Sequence, residues 1–207
     1  MYNNIKLTGN NGIKISGEKI VYIDPYDLKT EEKDADYIFC THSHYDHFSK
    51  TDINKILKDS TKIITVESSK EDAINIVGEA NVLIVKPNEE YSIDNIKFKT
   101  TYAYNKNKEF HPKCNNWVGF LINFEGVFYF VAGDTDNIPE INNLTCDVAF
   151  LPVGGKYTMD YKEAATLANT LNAKLFIPTH YGSVAGDIKD GNRFKELMKN
   201  KEVKVLL

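Results

Sequence analysis

Hydrophobic and polar residues alternate with the period of β-strands over the first part of the chain. Residues 5–7 and 13–15 alternate around a Gly/Asn turn, and a further apolar run covers residues 19–23. Alternation of this kind is typical of strands with one buried face, and the proline at position 25 ends the third run. We therefore expect an antiparallel three-stranded meander over residues 5–23.

Helical patterns and continuous apolar runs follow this meander. Apolar residues recur at helical spacing after Ser49, and the pairs Ser68/Glu71 and Asp160/Glu163 have the pattern of a capping box that begins a helix. A last helix is expected near residues 193–199. The apolar runs predict buried strands at residues 37–40, 62–66, 82–85, 147–153 and 174–177.

The middle of the chain is rich in strand signals. Residues 91–104 alternate strongly and predict one long strand, while residues 117–124 and 127–132 flank Glu125-Gly126, a hairpin signal. The pattern as a whole predicts an α/β fold in a single domain over residues 1–207. Periodicity alone does not choose between the possible arrangements of α/β layers.

Composition narrows the class of protein. The 207 residues are 42% hydrophobic and 26% charged, with a net charge of −4, which is ordinary for a globular domain. This charge gives no electrostatic reason to expect a nucleic-acid partner. No apolar run approaches the length of a membrane span, and the first residues lack the apolar core of a signal peptide. The 3 cysteines form no C-x-x-C pair, so we expect no disulfide framework and a cytoplasmic location.

A dense cluster of metal-ligand residues lies in Thr41–Phe48, on the loop between a predicted strand and a predicted helix. In extended backbone, residues two apart face the same side, so His42 and His44 can bind one ion. The chain must then turn, which lets Asp46 and His47 reach a second ion. Imidazole nitrogens and carboxylate oxygens are ligands that zinc, iron and manganese accept.

Three more candidate ligands follow at the ends of apolar runs. His111 and His180 are the only histidines outside the cluster, and Asp134 lies between them in sequence. Asp136 stands two residues after Asp134 and is its structural competitor as a ligand.

The H-x-H-x-D-H pattern after a strand, followed in order by His111, Asp134 and His180, resembles the metallo-β-lactamase superfamily. The resemblance implies a four-layer αββα sandwich with a metal site on loops at one sheet edge. It assigns His42, His44 and His111 to a first metal ion. It assigns Asp46, His47 and His180 to a second ion and lets Asp134 bridge both.

Two longer stretches are similar to one branch of that superfamily. L-P-V-G-G-K-Y-T-M-D-Y-K-E-A and I-P-T-H-Y-G-S, with T-Y-A-Y-N, H-P-K and W-V-G-F upstream, resemble small bacterial and archaeal hydrolases related to ascorbate-phosphate lactonase. Cys114 departs from the pattern, because glycine is expected after H-P-K.

The resemblance and the ligand set together predict a hydrolase in which a hydroxide shared by two metal ions cleaves a small ester, lactone or phosphoester. We expect two divalent ions, zinc first, with manganese or iron as alternatives. Asp46 is expected to pass a proton to the leaving group. The partner is expected to be a small-molecule substrate, with no nucleic acid and no membrane, and the oligomeric state is left open.

Other readings stay open at this point. The alternative functions are an iron-dependent oxidoreductase on the same scaffold, a nuclease, and a metal-binding protein without catalysis. Asp24 either orients a ligand histidine or only forms an Asp-Pro turn, and Trp117 is expected in the core. Tyr157, with Thr158, either lines the pocket or is an ordinary loop residue, and Cys114 is either a soft-metal ligand or a free thiol.

Overall fold

The computed structural model describes residues 2–207, which divide after Val85 into two compact units. Each unit contains one six-stranded sheet with its own helices. The single domain expected over residues 1–207 stays a prediction.

The sheet of the first unit starts with the expected antiparallel meander and continues in parallel strands. Its order follows the chain, because each new strand pairs with the one before it. Helix α1 (Lys50–Ile56) and helix α2 (Lys70–Val77) connect its last three strands. The six strands are β1 (Ile5–Gly9), β2 (Gly12–Ser16), β3 (Ile20–Ile23), β4 (Tyr37–Phe39), β5 (Lys62–Val66) and β6 (Val82–Val85).

The parallel pairing of β3 with β4 brings the ends of both strands to one edge. Ile23 lies opposite Phe39 in the ladder, so Asp24 and Thr41 follow side by side. This edge carries the histidine-rich loop. The strand ends just before the loop are held together by backbone hydrogen bonds, from Asp24 N to Phe39 O (2.9 Å) and from Cys40 N to Ile64 O (2.8 Å).

Helix α2 begins differently from the prediction. A 3-10 turn, Glu67–Ser69, precedes it, and Ser69 stands at the N-cap position with no side-chain cap hydrogen bond. The predicted N-cap at Ser68 is therefore wrong, because the extra turn moves the start of the helix to Lys70 and its N-cap to Ser69. The helix packs Ala73 into a core with residues of the sheet and of α1, including Ile38, Ile53 and Ile63.

The second sheet has the order β12-β11-β10-β9-β8-β7. Strands β7 to β10 are antiparallel neighbours, and the expected hairpin joins β9 to β10 at Glu125-Gly126. The single long strand expected over residues 91–104 is wrong, because Asp94 adopts a left-handed φ of 50° and turns the chain. The strands are β7 (Glu90–Ile93), β8 (Ile96–Tyr102), β9 (Val118–Phe124), β10 (Val127–Val131), β11 (Thr145–Pro152) and β12 (Asn172–Thr179).

Two helices complete the second unit. Helix α3 (Tyr161–Thr170) begins with the predicted capping box, in which the Asp160 carboxylate accepts the Glu163 N–H and the Glu163 carboxylate accepts the Asp160 N–H. Helix α4 (Asp190–Leu197) begins three residues before the predicted position. The inner faces of both helices pack with β10, β11 and β12 in one buried cluster.

Strands β10, β11 and β12 run parallel, so their carboxyl ends meet at one edge. Val131, Phe150 and Ile177 lie opposite one another across the three strands. Asp134 follows the first of these strands and His180 follows the last. Among the described residues, no helix has the length and apolar character that crossing a membrane requires.

Candidate metal centre

His42 and His44 form a close pair in the first unit. Nε2 of His42 lies 3.0 Å from Nδ1 of His44, and Nδ1 of His42 lies 3.0 Å from the Thr41 hydroxyl. The Thr41 hydroxyl donates its proton to Asp24 at 2.8 Å, so it must accept from His42 Nδ1. This leaves the lone pair of His42 on Nε2, facing the nitrogen of His44.

The carboxylate of Asp24 holds the histidine-rich loop in place by hydrogen bonds. Its buried carboxylate accepts hydrogen bonds from the Thr41 N–H and hydroxyl, from the Asn11 amide at 2.7 Å and from His47 Nδ1 at 2.7 Å. The bond to His47 Nδ1 places the lone pair of that ring on Nε2, the tautomer that binds metals. Asp24 therefore orients a predicted ligand, and the Asp-Pro turn alone does not account for it. Its φ of 46° shows that the turn is held in the left-handed region.

Asp46 and His47 form the second pair of the loop. Oδ2 of Asp46 lies 3.4 Å from Nε2 of His47, and both side chains are almost completely buried. The amide of Asn10 donates to the same carboxylate oxygen at 2.8 Å. The hairpin turn between β1 and β2 thus supplies two amides, Asn10 for Asp46 and Asn11 for Asp24.

Asp134 lies between two histidines in the second unit. Its Oδ2 is 3.2 Å from His111 Nε2 and 3.0 Å from His180 Nε2. All three side chains are nearly inaccessible to solvent. One carboxylate oxygen is therefore shared by two imidazole rings in a buried setting.

Asn105 fixes the ring of His111. Its amide nitrogen donates to Asp136 at 3.0 Å and to the Tyr157 carbonyl at 2.9 Å, so its oxygen faces His111. That oxygen accepts from the backbone N–H and from Nδ1 of His111, the latter at 2.9 Å. The lone pair of His111 is consequently on Nε2, pointing at Asp134.

Asp136 has different partners from Asp134. Its carboxylate binds the ammonium of Lys108, the backbone N–H of Lys106 and the amide of Asn105. It acts on His111 only through Asn105.

The His180 loop depends on a close approach of two backbones. His180 has a φ of 56°, which non-glycine residues adopt rarely. A Cβ at Gly154 would overlap the carbonyl oxygen of His180, so the loop after β11 can pass here only as glycine. Gly154 in turn forms a bridge to Asp160, just before helix α3.

The donor chemistry of both sets fits divalent metal ions. The His111 lone pair faces a carboxylate oxygen 3.2 Å away, and two acceptors at this distance repel unless a proton or a metal ion lies between them. His42 directs its lone pair toward Nδ1 of His44 at 3.0 Å, where a proton on His44 or a metal ion satisfies it. Neutral imidazoles held by a carboxylate or amide behind them, with carboxylates beside them, are the usual first and second layers of a zinc or iron site. The individual ligands stay predictions.

Three polar residues behind these ligands were missed from the sequence, namely Asn10, Asn11 and Asn105. An N-N pair in a Gly-rich hairpin turn is an ordinary turn signal. Asn105 ends the stretch T-Y-A-Y-N, which carries part of the family resemblance but gives no role to the asparagine. Of the residues left open, Tyr157 packs edge-on against Phe110 at 4.7 Å and Cys114 is an exposed free thiol. Trp117 is buried, as expected, with its ring 5.5 Å from that of His111.

Comparison with known proteins gives a consistent result. A sequence model described as the β-lactamase superfamily domain matches residues 5–180. A UPF0173 metal-dependent hydrolase of Thermococcus onnurineus is 29% identical over 218 residues, covering 98% of this chain and 95% of that protein.

Solved structures agree over nearly the whole chain. One described as a metal-dependent hydrolase from Parabacteroides distasonis is 29% identical, with a TM-score of 0.84 over 97% of this chain and 91% of its own. Another, described as a zinc-dependent hydrolase of the metallo-β-lactamase superfamily from Thermotoga maritima, is 23% identical with a TM-score of 0.62, covering 97% and 96% of the two chains. The second shows the fold alone. Together they confirm the predicted fold class, α/β of the metallo-β-lactamase type, while the link to ascorbate-phosphate lactonase stays a prediction.

Proposed function

Because the chain belongs to the β-lactamase superfamily, we propose that it is a metal-dependent hydrolase that uses two metal ions to cleave a small ester, lactone or phosphoester. The observation that carries the proposal is the position of Asp134. One oxygen of its carboxylate lies about equally far from His111 Nε2 and from His180 Nε2, at 3.2 and 3.0 Å.

A carboxylate that bridges two ions lies beside other ligands of each ion. His111 belongs to the predicted first ion and His180 to the second, so Asp134 stands where a bridging ligand is required. A lone tetrahedral site would need only four ligands, fewer than the seven present in the sequence. The hydrogen bond from His111 Nδ1 to Asn105 supports the metal-binding tautomer on one side of this carboxylate.

The first unit contains two further pairs of predicted ligands. His42 and His44 face each other at 3.0 Å, while Asp46 and His47 meet at 3.4 Å. The rings of His42 and His47 are 4.0 Å apart between centroids, so the two pairs are neighbours. Each pair supplies two donors to one of the two ions proposed.

When bound, the two ions supply a hydroxide nucleophile shared between them and positive charge for the oxygen on which negative charge develops. Zinc is proposed first, because imidazole and carboxylate ligands suit it, with manganese or iron as alternatives. Asp46 is proposed to carry a proton to the leaving group. The Asn10 amide supports that role because it holds one carboxylate oxygen in place at 2.8 Å.

The substrate is proposed to be a small molecule. The net charge of −4 offers no attraction to nucleic-acid phosphates. The cytoplasmic location expected from composition is retained in the proposal.

The proposal is tested by metal analysis combined with a substrate screen. The purified chain is depleted of metal, reconstituted separately with zinc, manganese and iron, and assayed against esters, lactones and phosphodiesters. We expect about two ions per chain, because the seven candidate ligands exceed the four of one tetrahedral site, and metal-dependent hydrolysis. One ion or fewer after reconstitution would contradict the two-metal site. Electron transfer by the iron form without hydrolysis would favour the oxidoreductase.

A further inference from the structure

Lys108 lies in the segment that carries His111, between β8 and the 3-10 turn Lys113–Asn115. Residues 103–112 have no regular secondary structure, and a backbone hydrogen bond from Asn105 N to His111 O at 2.8 Å closes residues 105–111 into a loop. The shape of such a loop depends on its side-chain contacts. The Lys108 side chain is only 24% exposed, so most of it packs against the protein.

The ammonium of Lys108 binds two acceptors that lie next to the side-chain amide of Asn105. It donates to Oδ1 of Asp136 and, at 3.0 Å, to the carbonyl oxygen of Thr158. The amide nitrogen of Asn105 donates to the same Asp136 oxygen at 3.0 Å and to the carbonyl of Tyr157 at 2.9 Å. One ammonium therefore fixes both acceptors of this amide, the first directly and the second through the adjoining peptide.

The burial of Asp136 makes the charge of Lys108 important. Asp136 is 3% exposed, and a buried carboxylate is costly unless a cation and further donors compensate its charge. Lys108 is the cation that lies against it, while the second acid near this ammonium, Glu163, is 4.0 Å away and half exposed. Without the ammonium, Asp136 would keep two neutral donors, the Lys106 N–H and the Asn105 amide, and would have to move toward others.

The direction of the Asn105 amide decides which ring nitrogen of His111 carries a proton. With its nitrogen held by two acceptors, its oxygen accepts from Nδ1 and from the backbone N–H of His111, at 2.9 and 3.2 Å. Nε2 then has the lone pair that a metal ligand requires. A rotated amide would set its N–H groups against Nδ1 and favour the opposite tautomer, with the proton on Nε2.

We propose that Lys108 is a positioning residue for His111. It acts through Asp136 and Asn105, and it keeps the ring in the orientation and tautomer that bind a metal ion. The inference rests on the proposed role of His111 as a metal ligand of the hydrolase, which it deepens by naming a residue that controls that ligand from outside the site.

The orientation of Asn105 is measured first, on the metal-free full chain. Exchange of its side-chain amide protons with water is followed by NMR in the wild type and in Lys108→Met. Both protons have acceptors in the folded chain, so we expect slow exchange in the wild type and exchange at least about threefold faster in the variant, as one acceptor loses its charged partner. Lys108→Arg keeps a cation with several donors and should restore most of the protection.

Lys113→Met is the matched control. This lysine follows the same segment and its ammonium also pairs with a carboxylate, that of Glu140 at 2.6 Å, but its other contacts are the rings of Tyr102 and Tyr104. Its substitution should leave exchange of the Asn105 amide unchanged. Equal acceleration in the two variants would indicate a general loosening of the segment and would overturn the proposal.

Zinc affinity provides the second test, by competition with a chelator. Asn105→Ala should weaken binding about 10- to 100-fold, as loss of a direct partner of a ligating imidazole does, and Lys108→Met about three- to tenfold, because it acts at a further remove. If Lys108 acts through Asn105, the double variant should bind zinc no more weakly than Asn105→Ala alone. Melting temperatures of the metal-free chains show whether each variant is folded.

The outcomes separate this proposal from the hydrolase. Unchanged exchange of the Asn105 amide in Lys108→Met, or additive losses of zinc affinity in the double variant, would overturn the role of Lys108 and leave the hydrolase standing. Zinc binding that depends on Lys108 through Asn105, with no ester, lactone or phosphoester cleaved, would retain that role and contradict the hydrolase.

Discussion

Single side chains behind the predicted ligands determine how those ligands are held. Asp24 fixes the tautomer of His47 directly and that of His42 through the Thr41 hydroxyl. Asn105 does the same for His111. Such partners raise the basicity of a ligating imidazole, and their loss commonly lowers metal affinity or activity about 10- to 100-fold.

Asp134 and Asp136 allow a direct test of the bridging role. Asp134→Ala should reduce metal content to about one ion or fewer, since the two-metal arrangement needs the shared carboxylate. It should also lower turnover by at least about 100-fold: without the carboxylate the two cations repel each other too strongly to bind together, and the charge stabilisation that the pair would supply is lost. Metal content and hydrolysis of the best substrate measure both effects.

Asp136→Ala is the control for this comparison. Asp136 contacts Asn105 and Lys108 rather than the histidines, so we expect metal to be retained and activity to fall about tenfold at most. Full metal and activity in Asp134→Ala, with both lost in Asp136→Ala, would reverse the assignment.

Asn10 allows a test of the support behind Asp46. Asn10→Gly removes the amide without a backbone penalty, because Asn10 has a φ of 49° and glycine adopts this conformation readily. We expect kcat or the affinity for the second ion to fall about 10- to 100-fold, since Asp46 loses its partner. Asn88→Gly is the matched control, with a φ of 64° and an exposed side chain, and should have no effect on either quantity. Equal behaviour of the two variants would remove Asn10 from the site.

One carboxylate connects the start of α1 to the loop that follows β3. Asp52 accepts the N–H groups of Asp27 and Leu28, both at 3.0 Å, together with the Ser49 hydroxyl and the ammonium of Lys55. This connection holds residues 27–28 against the helix that follows the histidine-rich loop.

Asp52 predicts a pH-dependent contribution to stability. Burial alone would raise its pKa, but Lys55, Ser49 and the Asp27 N–H together lower the pKa below the ordinary value of 3.8. A carboxylate whose pKa is lower in the folded state stabilises the fold above the unfolded pKa, and this contribution is lost as pH falls through the folded pKa. Asp52→Asn should therefore lower the free energy of unfolding by about 2 kcal/mol at pH 7, because bonds to a charged acceptor weaken.

Urea denaturation at a series of pH values measures this effect. The difference between wild type and Asp52→Asn should be constant from pH 7 to about 5 and should narrow below about pH 4, where the wild-type carboxylate takes up its proton. A difference that stays the same down to pH 3 would show that Asp52 acts by its shape alone.

The chain as a whole combines two units, each of which presents candidate ligands at the edge of a sheet where parallel strands end. Parallel strands direct their following loops to one edge, which is why Asp24 meets Thr41 and why Asp134 meets His180. The comparisons confirm the predicted enzyme class, a hydrolase of the metallo-β-lactamase fold. The number and identity of its metal ions belong to the proposal.

Acidity should affect the whole enzyme through its ligands. Imidazole titrates near a pKa of about 6.5, and protons compete with metal for the same nitrogens. We expect kcat/KM to fall as pH drops below about 6, together with metal content, and chelation at neutral pH to lower the melting temperature because ions that bind only the folded state stabilise it. A rate that is flat from pH 5 to about 8 with metal content unchanged would argue against hydroxide as the nucleophile.

Local patterns in the sequence were sufficient for much of the fold. Alternation predicted the meander over residues 5–23, Glu125-Gly126 predicted the hairpin, and Asp160 with Glu163 predicted the start of α3. Each of these depends on residues close together in the chain, where side-chain period and turn chemistry act directly. The same reasoning failed at Asp94 and Ser69, because a left-handed turn and an inserted 3-10 turn leave weak local signals.

The partners of the candidate ligands were decided only by the tertiary structure. Asn10 meets Asp46 across 36 residues, and Thr41 meets Asp24 across 17. These contacts depend on strand order and register, which bring distant loops to a common edge of the sheet. The types and order of the candidate ligands could be predicted from the chain, because a metal requires particular donor atoms. The tautomer and orientation of each ring could not, because they depend on which buried oxygen lies behind it.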